Sequence, residues 1–73
     1  MVWYMNKVEY ILNELPFPTV AVYKSIRVNQ GVSLDVIKED TGYSIVSIMR
    51  FIRTLKSAEL IVFDSSNNHY YAK

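Results

Sequence analysis

The sequence predicts a mainly α-helical fold that ends in a small β-hairpin, and three observations support this. Two segments with helical apolar spacing are separated by the turn-forming pair Thr41-Gly42. Two runs rich in β-branched and aromatic residues, 61–63 and 69–71, flank a cluster of turn formers. An apolar seam at the start of the chain, closed by two prolines, predicts an additional N-terminal helix.

The first predicted helix spans residues 1–15. Its apolar residues fall at alternating spacings of four and three, which is typical of a helix packed lengthwise on another: Met1, Met5, Val8, Leu12 and Leu15. Trp3 and Tyr10 lie on nearly the opposite side, among polar residues. Such rings are ordinary surface in many proteins. The alternative, which we favour, is a homodimer that this helix helps to form, with an interface at Trp3, Met5, Tyr10 and Leu12.

The second helix is predicted over residues 20–29, because the two prolines around Phe17 end the first helix and Thr19 can cap the next one. Val20, Tyr23 and Ile26 are expected in the core, whereas Lys24 and Arg27 offer positive charge at the surface. The segment 29–31, Asn-Gln-Gly, closes this helix.

A short helix, a tight turn and a longer basic helix follow at the spacing of a helix-turn-helix. Ser33 is a suitable N-cap for the short helix, Gly42 can take the positive φ that ends it, and Ser44 can cap the longer one. In the longer helix one stripe is apolar and faces the core: Ile48, Phe51, Ile52 and Leu55. The opposite face carries Val46, Arg50, Arg53 and Ser57, so the basic groups point outwards.

The pattern from Ser33 to Ile61, continued by a hairpin, resembles the core of bacterial and archaeal winged-helix transcription regulators. The matching positions are Ser33-Leu34, Thr41-Gly42-Tyr43-Ser44, Ile48, Phe51-Ile52, Leu55 and Ala58-Glu59-Leu60-Ile61. The resemblance covers about residues 20–73, and it implies a single winged-helix domain over 1–73. This domain has an extra N-terminal helix (1–15), a three-helix core (19–57) and a wing (60–73). Small size, absence of cysteine and richness in Ile, Val and Tyr are also similar to small proteins of hyperthermophilic archaea and their viruses.

Composition argues against most other classes of protein. A chain of 73 residues can enclose one core, and without cysteine it has neither disulfides nor a thiolate zinc site to stabilise it. No apolar run approaches the roughly 20 residues of a membrane span, so we expect a cytoplasmic protein, in the host cytoplasm if it is viral. His69 is expected as a strand residue and Asp35, Glu39 and Asp40 as a solvated helix face. We therefore expect no enzyme, metal, cofactor or small-molecule ligand.

The distribution of charge supports nucleic-acid binding better than the net charge of +1. Positive residues concentrate in the helices before and after the acidic one. Arg50 and Arg53 can pair with guanine or phosphate, and Ser44 and Ser47 can donate near the helix N-terminus. The full predicted DNA surface comprises Ser44, Val46, Ser47, Met49, Arg50, Arg53, Thr54, Lys56, Lys24, Arg27, Asn67 and Asn68.

Two hypotheses follow for function. The first is sequence-specific binding of double-stranded DNA by a homodimer that regulates transcription. Val46 and Met49 depart from the polar residues that the family more often carries there, and they suit either thymine methyl groups or a protein. The second hypothesis is therefore a winged-helix adaptor that binds protein without reading DNA sequence.

Overall fold

A computed structural model describes residues 7–73, and in this part of the chain four helices precede one antiparallel hairpin. The helices are α1 (Lys7–Asn13), α2 (Phe17–Asn29), α3 (Leu34–Thr41) and α4 (Ile45–Ser57). The strands are β1 (Ile61–Asp64) and β2 (His69–Ala72). The predicted class, mainly helical with a small hairpin, is confirmed.

The core lies where α2 packs on α3, α4 and β2. Its most completely buried side chains come from three helices: Val22, Ile26, Ile37, Ile48 and Leu55. The predicted apolar stripe of α4 is confirmed, because Ile48, Ile52 and Leu55 are buried and Phe51 is half-buried. Tyr23 and Ile26 are also buried as predicted, whereas Val20 is only half-buried.

The start of α2 differs from the sequence prediction. The helix begins at Phe17 with Pro16 as its N-cap, so Thr19 is not the cap but lies inside the first turn with its side chain buried. Pro18 is compatible with this position because the first backbone N–H groups of a helix have no partner within the helix. The prolines therefore initiate this helix as well as end the preceding one.

Among the described residues, helix α1 lies within the predicted N-terminal helix, whose residues 1–6 lie outside the described part of the chain. It ends at Asn13, and Glu14 and Leu15 continue it in a tighter turn through N–H bonds to Ile11 and Leu12. Ile11, Leu12 and Leu15 pack on the core of their own chain, whereas Leu12 was expected at the dimer interface. Tyr10 is exposed, whereas Trp3 and Met5 lie outside the described residues.

The turn between α3 and α4 has the predicted chemistry. Gly42 adopts φ 76° and donates its N–H to the Lys38 carbonyl, and Ser44 caps α4 by accepting the N–H of Ser47. Ser33 occupies the N-cap position of α3 but makes no capping bond through its side chain. The ring of Tyr43 meets Phe51 edge-on at 5.8 Å, which seats the turn on α4.

A Schellman motif ends α4 and leads into the hairpin. Glu59 donates its N–H to Lys56 and Leu60 donates to Leu55, while Glu59 adopts a left-handed φ of 60°. Leu55 and Leu60 are both buried, so the motif also brings its usual hydrophobic contact.

The hairpin pairs Ile61 with Ala72 and Phe63 with Tyr70. On the other edge of β2, the backbone of Val32 exchanges two hydrogen bonds with Tyr70, and the Gln30 side chain accepts the N–H of Ala72. The sequence did not indicate this third extended segment, because a single paired residue has no alternating pattern. No helix within residues 7–73 is long and apolar enough to cross a membrane.

Candidate nucleic-acid interface

The outward face of α4 combines three cations with two apolar side chains. Arg50, Arg53 and Lys56 are exposed, and the helix contains no acidic residue. Val46 and Met49 are 72% and 55% exposed, which is high for residues of their size. The face is therefore positive and also partly apolar.

The three cations have no competing partner among the described residues. No carboxylate of this region lies within the 4 Å of an ion pair with any of them. Because forming a contact with an external anion then requires no internal ion pair to break, these side chains are ready to bind phosphate or a base edge.

A groove of about 440 Å³ separates α4 from the hairpin. Met49 and Ile52 give it apolar surface, Arg53, Lys56 and Ser57 line its helical side, and Tyr70 of β2 lies on the opposite side. A second groove, of about 310 Å³, lies among Val46, Met49, Arg50 and Arg53. Met49 and Arg53 border both, so they form the ridge between the two depressions.

Tyr70 joins the hairpin to this surface. Its ring packs on Phe63 with centroids 4.7 Å apart, and both side chains are on the face of the hairpin that also carries the buried Ile61. Burial raises the pKa of the Tyr70 phenol above its ordinary value of 10.0. The phenol is therefore neutral at physiological pH and adds no negative charge to the groove.

The hydroxyl groups of Ser44 and Thr54, at the two ends of α4, have local partners. The Ser44 Oγ donates to the Ser47 Oγ at 3.1 Å while accepting the Ser47 N–H, and the Thr54 hydroxyl donates to the Arg50 carbonyl at 3.4 Å. These bonds orient Ser44 as a cap, so its first role is to fix the beginning of α4.

Lys24 and Arg27 lie away from the α4 grooves. Both are exposed on α2, and Lys24 lines a separate depression with Phe17, Val28 and Tyr43. This depression reaches the turn before α4 but includes none of the α4 cations. The structure thus groups the α4 residues together and leaves the α2 cations at a different part of the surface.

The tip of the hairpin is polar and largely engaged in its own bonds. Asn67 donates from its amide to the Tyr71 hydroxyl and accepts the N–H of His69. Asp64 accepts two bonds from Ser66, and these lower the pKa of its carboxyl below the ordinary value of 3.8. Asn68 is exposed in the left-handed region, with φ 59°. Of the two predicted asparagines, Asn67 therefore has the less available side chain.

A polar network fixes the orientation of α3 against α2. Both the Ser25 hydroxyl and the Asn29 amide donate to the same Asp40 oxygen, at 2.9 and 2.8 Å. Ser25 is buried, so breaking this network would leave a polar group without its partner. Asp40 was predicted on a solvated face, because hydrogen bonds between two helices leave no mark in the residue spacing of either helix.

Tyr70 lies on this surface, but it was not among the residues predicted to form it. Neighbouring residues of a strand face opposite ways, so one of Tyr70 and Tyr71 must face this surface, but only the strand register identifies it by placing Tyr70 beside Phe63. Within residues 7–73, no group of three or more His, Asp or Glu side chains is arranged to hold a metal ion.

This surface can contact a polyanion, because it combines a groove beside a helix, a neutral phenol and cations that have no ion-pair partner within residues 7–73. Comparison with protein-family models, with curated proteins and with solved structures finds no match to this chain.

Proposed function

We propose that this protein is a winged-helix transcription regulator that binds double-stranded DNA sequence-specifically as a homodimer. The observation that carries the proposal is the outward face of α4, which lies beside a groove that leads to the hairpin. Its three cations have no ion-pair partner among residues 7–73, and α4 itself carries no carboxylate. It acts by occluding a promoter or by recruiting a partner to one.

In this proposal α4 enters the major groove, which is wide enough to admit a helix. Arg50 contacts base edges from the exposed side, and Arg53 and Lys56 hold the phosphates that run through the groove between α4 and β2. The neutral Tyr70 phenol donates a hydrogen bond to the backbone on the opposite wall.

Val46 and Met49 contribute apolar contacts in the same groove. The thymine methyl group is the apolar feature that the major groove offers, so these side chains favour sites that contain thymine next to the bases read by Arg50. A preference of this kind depends on shape and contact, whereas the cations provide affinity for any sequence.

The test is selection of sites from a random pool of duplexes, followed by affinity measurements on selected and random DNA. Arg50→Ala should lose roughly 1–3 kcal/mol on the selected site and relax one base position, whereas Lys56→Ala should weaken all sequences alike. Lys38→Ala is the matched control, because it removes the same charge from an acidic stretch of α3 beside Asp35 and Glu39. Failure of the wild type to enrich any site would contradict the proposal.

The exposure of Val46 and Met49 favours one second candidate, an adaptor that binds protein through α4. The double variant Val46→Ser, Met49→Gln separates the two functions. A DNA regulator keeps its salt-dependent affinity and changes its base preference, whereas an adaptor loses a protein partner and binds duplexes only weakly with or without the change. The fold should tolerate both substitutions, since exposed positions usually change stability by about 0.5 kcal/mol or less.

A further inference from the structure

The open edge of β1 presents backbone groups that lack partners in the described chain. The Lys73 N–H bonds to the Leu60 carbonyl, so this opposed pair is a hydrogen-bonded one. Hydrogen-bonded and non-hydrogen-bonded pairs alternate along an antiparallel ladder, so Val62 and Tyr71 form the next hydrogen-bonded pair. The N–H and C=O groups of Ile61 and Phe63 therefore point away from β2.

The opposite edge of the sheet follows the same alternation and is closed. Tyr70 and Ala72, the partners of Phe63 and Ile61, also point their backbone groups away from the hairpin, where Val32 and Gln30 bind them. No segment within residues 7–73 does the same for Ile61 and Phe63.

The side chains along this edge do not protect it. Natural edge strands commonly carry lysine, proline or a bulge that discourages further pairing. Here the sequence of the edge is Ile61-Val62-Phe63, with Val62 42% exposed although it lies in the middle of the strand. The edge is therefore both open and apolar.

We propose that β1 pairs with β1 of a second copy of this chain, antiparallel and in a register centred on Val62. This register puts Ile61 opposite Phe63 of the second copy, so all four outward backbone groups form hydrogen bonds across a two-fold axis. The two Val62 side chains meet at the axis. Asp64 falls opposite Leu60 of the second copy, so no two like charges are opposed.

This inference rests on the homodimer of the proposed function and names the surface that forms it. A two-fold axis normal to the sheet leaves both helical layers on the same side of one enlarged sheet. A chain of this length also gains stability from such a contact, because its own core is small. The inference does not depend on whether the dimer binds DNA.

A cysteine at position 62 tests the register directly, since the chain has no other cysteine. Residues opposed in a non-hydrogen-bonded pair have Cα atoms about 4.5 Å apart, within the range that a disulfide spans. Under mild oxidation Val62→Cys should form a covalent dimer several-fold faster than the control Val28→Cys, although Val28 is 82% exposed on α2. Equal rates for the two variants would overturn the inference.

Introducing a charge at the same position, of either sign, gives the second test. Val62→Lys and Val62→Glu should each shift sedimentation equilibrium towards monomer, and an equimolar mixture of the two should restore a dimer. Circular dichroism shows whether both variants are folded.

A dimer that survives Val62→Lys but is lost in the double variant Trp3→Ala, Tyr10→Ala would place the interface on the N-terminal helix and overturn the β1 contact alone. A wild type that is monomeric at every concentration would overturn the homodimer as well, while duplex affinity separately decides DNA binding.

Discussion

Asp64 shows how one side chain stabilises the tip of the hairpin. Its carboxylate accepts both the N–H and the hydroxyl of Ser66, and these bonds lower the pKa of Asp64. A carboxyl whose pKa is lower in the folded state stabilises that state at pH values above its unfolded pKa. This contribution is fully present at neutral pH and disappears as the pH falls below 3.8 through the lowered pKa.

The first prediction is that Ser66→Ala raises the pKa of Asp64 towards its ordinary value, because the hydroxyl is the largest cause of the shift. Carboxyl NMR titration of both proteins measures this directly. Ser65→Ala is the control, since Ser65 is equally part of the turn but gives Asp64 no hydrogen bond. A pKa that is unchanged in Ser66→Ala would contradict the assignment.

The second prediction concerns Glu59, which has the left-handed conformation that glycine usually provides at the end of a helix. Glu59→Gly should stabilise the fold by about 0.5–1 kcal/mol, because removing the Cβ relieves more strain than the added unfolded-state freedom costs. Urea denaturation measures the change. Glu59→Ala keeps a Cβ and should give no such gain, and an equal gain in both variants would show that charge is responsible instead.

At the scale of elements, two glycines end helical segments for different reasons. Gly42 has φ 76° and nothing within 4 Å of the position that a Cβ would occupy. Gly31 has φ 86°, and a Cβ there would lie 2.9 Å from the Tyr71 ring. The first position requires glycine for its backbone alone, whereas the second also requires it for space beneath the hairpin.

The third prediction follows from that contrast. Gly42→Ala should cost about 1–2 kcal/mol of stability through backbone strain, and Gly31→Ala should cost more because Tyr71 must also move. Thermal unfolding of the two variants gives the comparison. Gly31→Ala should cost less stability in a Tyr71→Ala background than in the wild type, because the ring is then absent. Equal costs in the two backgrounds would contradict the contact.

The elements that the sequence predicted well are those whose determinants are local. The apolar stripe of α4, Gly42 at its turn and the Ser44 cap all depend on spacings of a few residues. The start of α2 was wrong because Pro16, Phe17 and Pro18 fit the first turn of a helix as well as the end of one. The β-bridge at Val32 was missed because its partner, Tyr70, is remote in sequence.

At the scale of the whole molecule, a net charge of +1 coexists with one strongly positive face. The acidic residues of α3 offset the cations of α4 in the total but less at the α4 surface, because charges farther away than the screening length of about 8 Å contribute little at physiological ionic strength. The cations of this surface could be named from the sequence. Its groove could not, because the distance between α4 and Tyr70 depends on how the hairpin packs.

The fourth prediction concerns salt. If Arg53 and Lys56 each neutralise one phosphate, the logarithm of the affinity should fall with the logarithm of salt concentration with a slope of about −2 per protomer. Arg53→Ala should reduce the slope by about one, whereas Lys38→Ala, on α3, should leave it unchanged. Fluorescence anisotropy on a random duplex measures both. A slope that Arg53→Ala does not change would remove this residue from the phosphate contacts.

The pairing of Val32 with Tyr70 has a consequence for the order of folding. These two residues lie on either side of α3 and α4, so their hydrogen bonds close a long loop that contains both helices. Closing such a loop costs chain entropy before the contact is made, and an isolated two-stranded hairpin is marginal by itself. We therefore expect the helices to assemble first and the hairpin to dock last, so that opening of the hairpin is the lowest-energy route by which the backbone amides of β2 exchange with solvent.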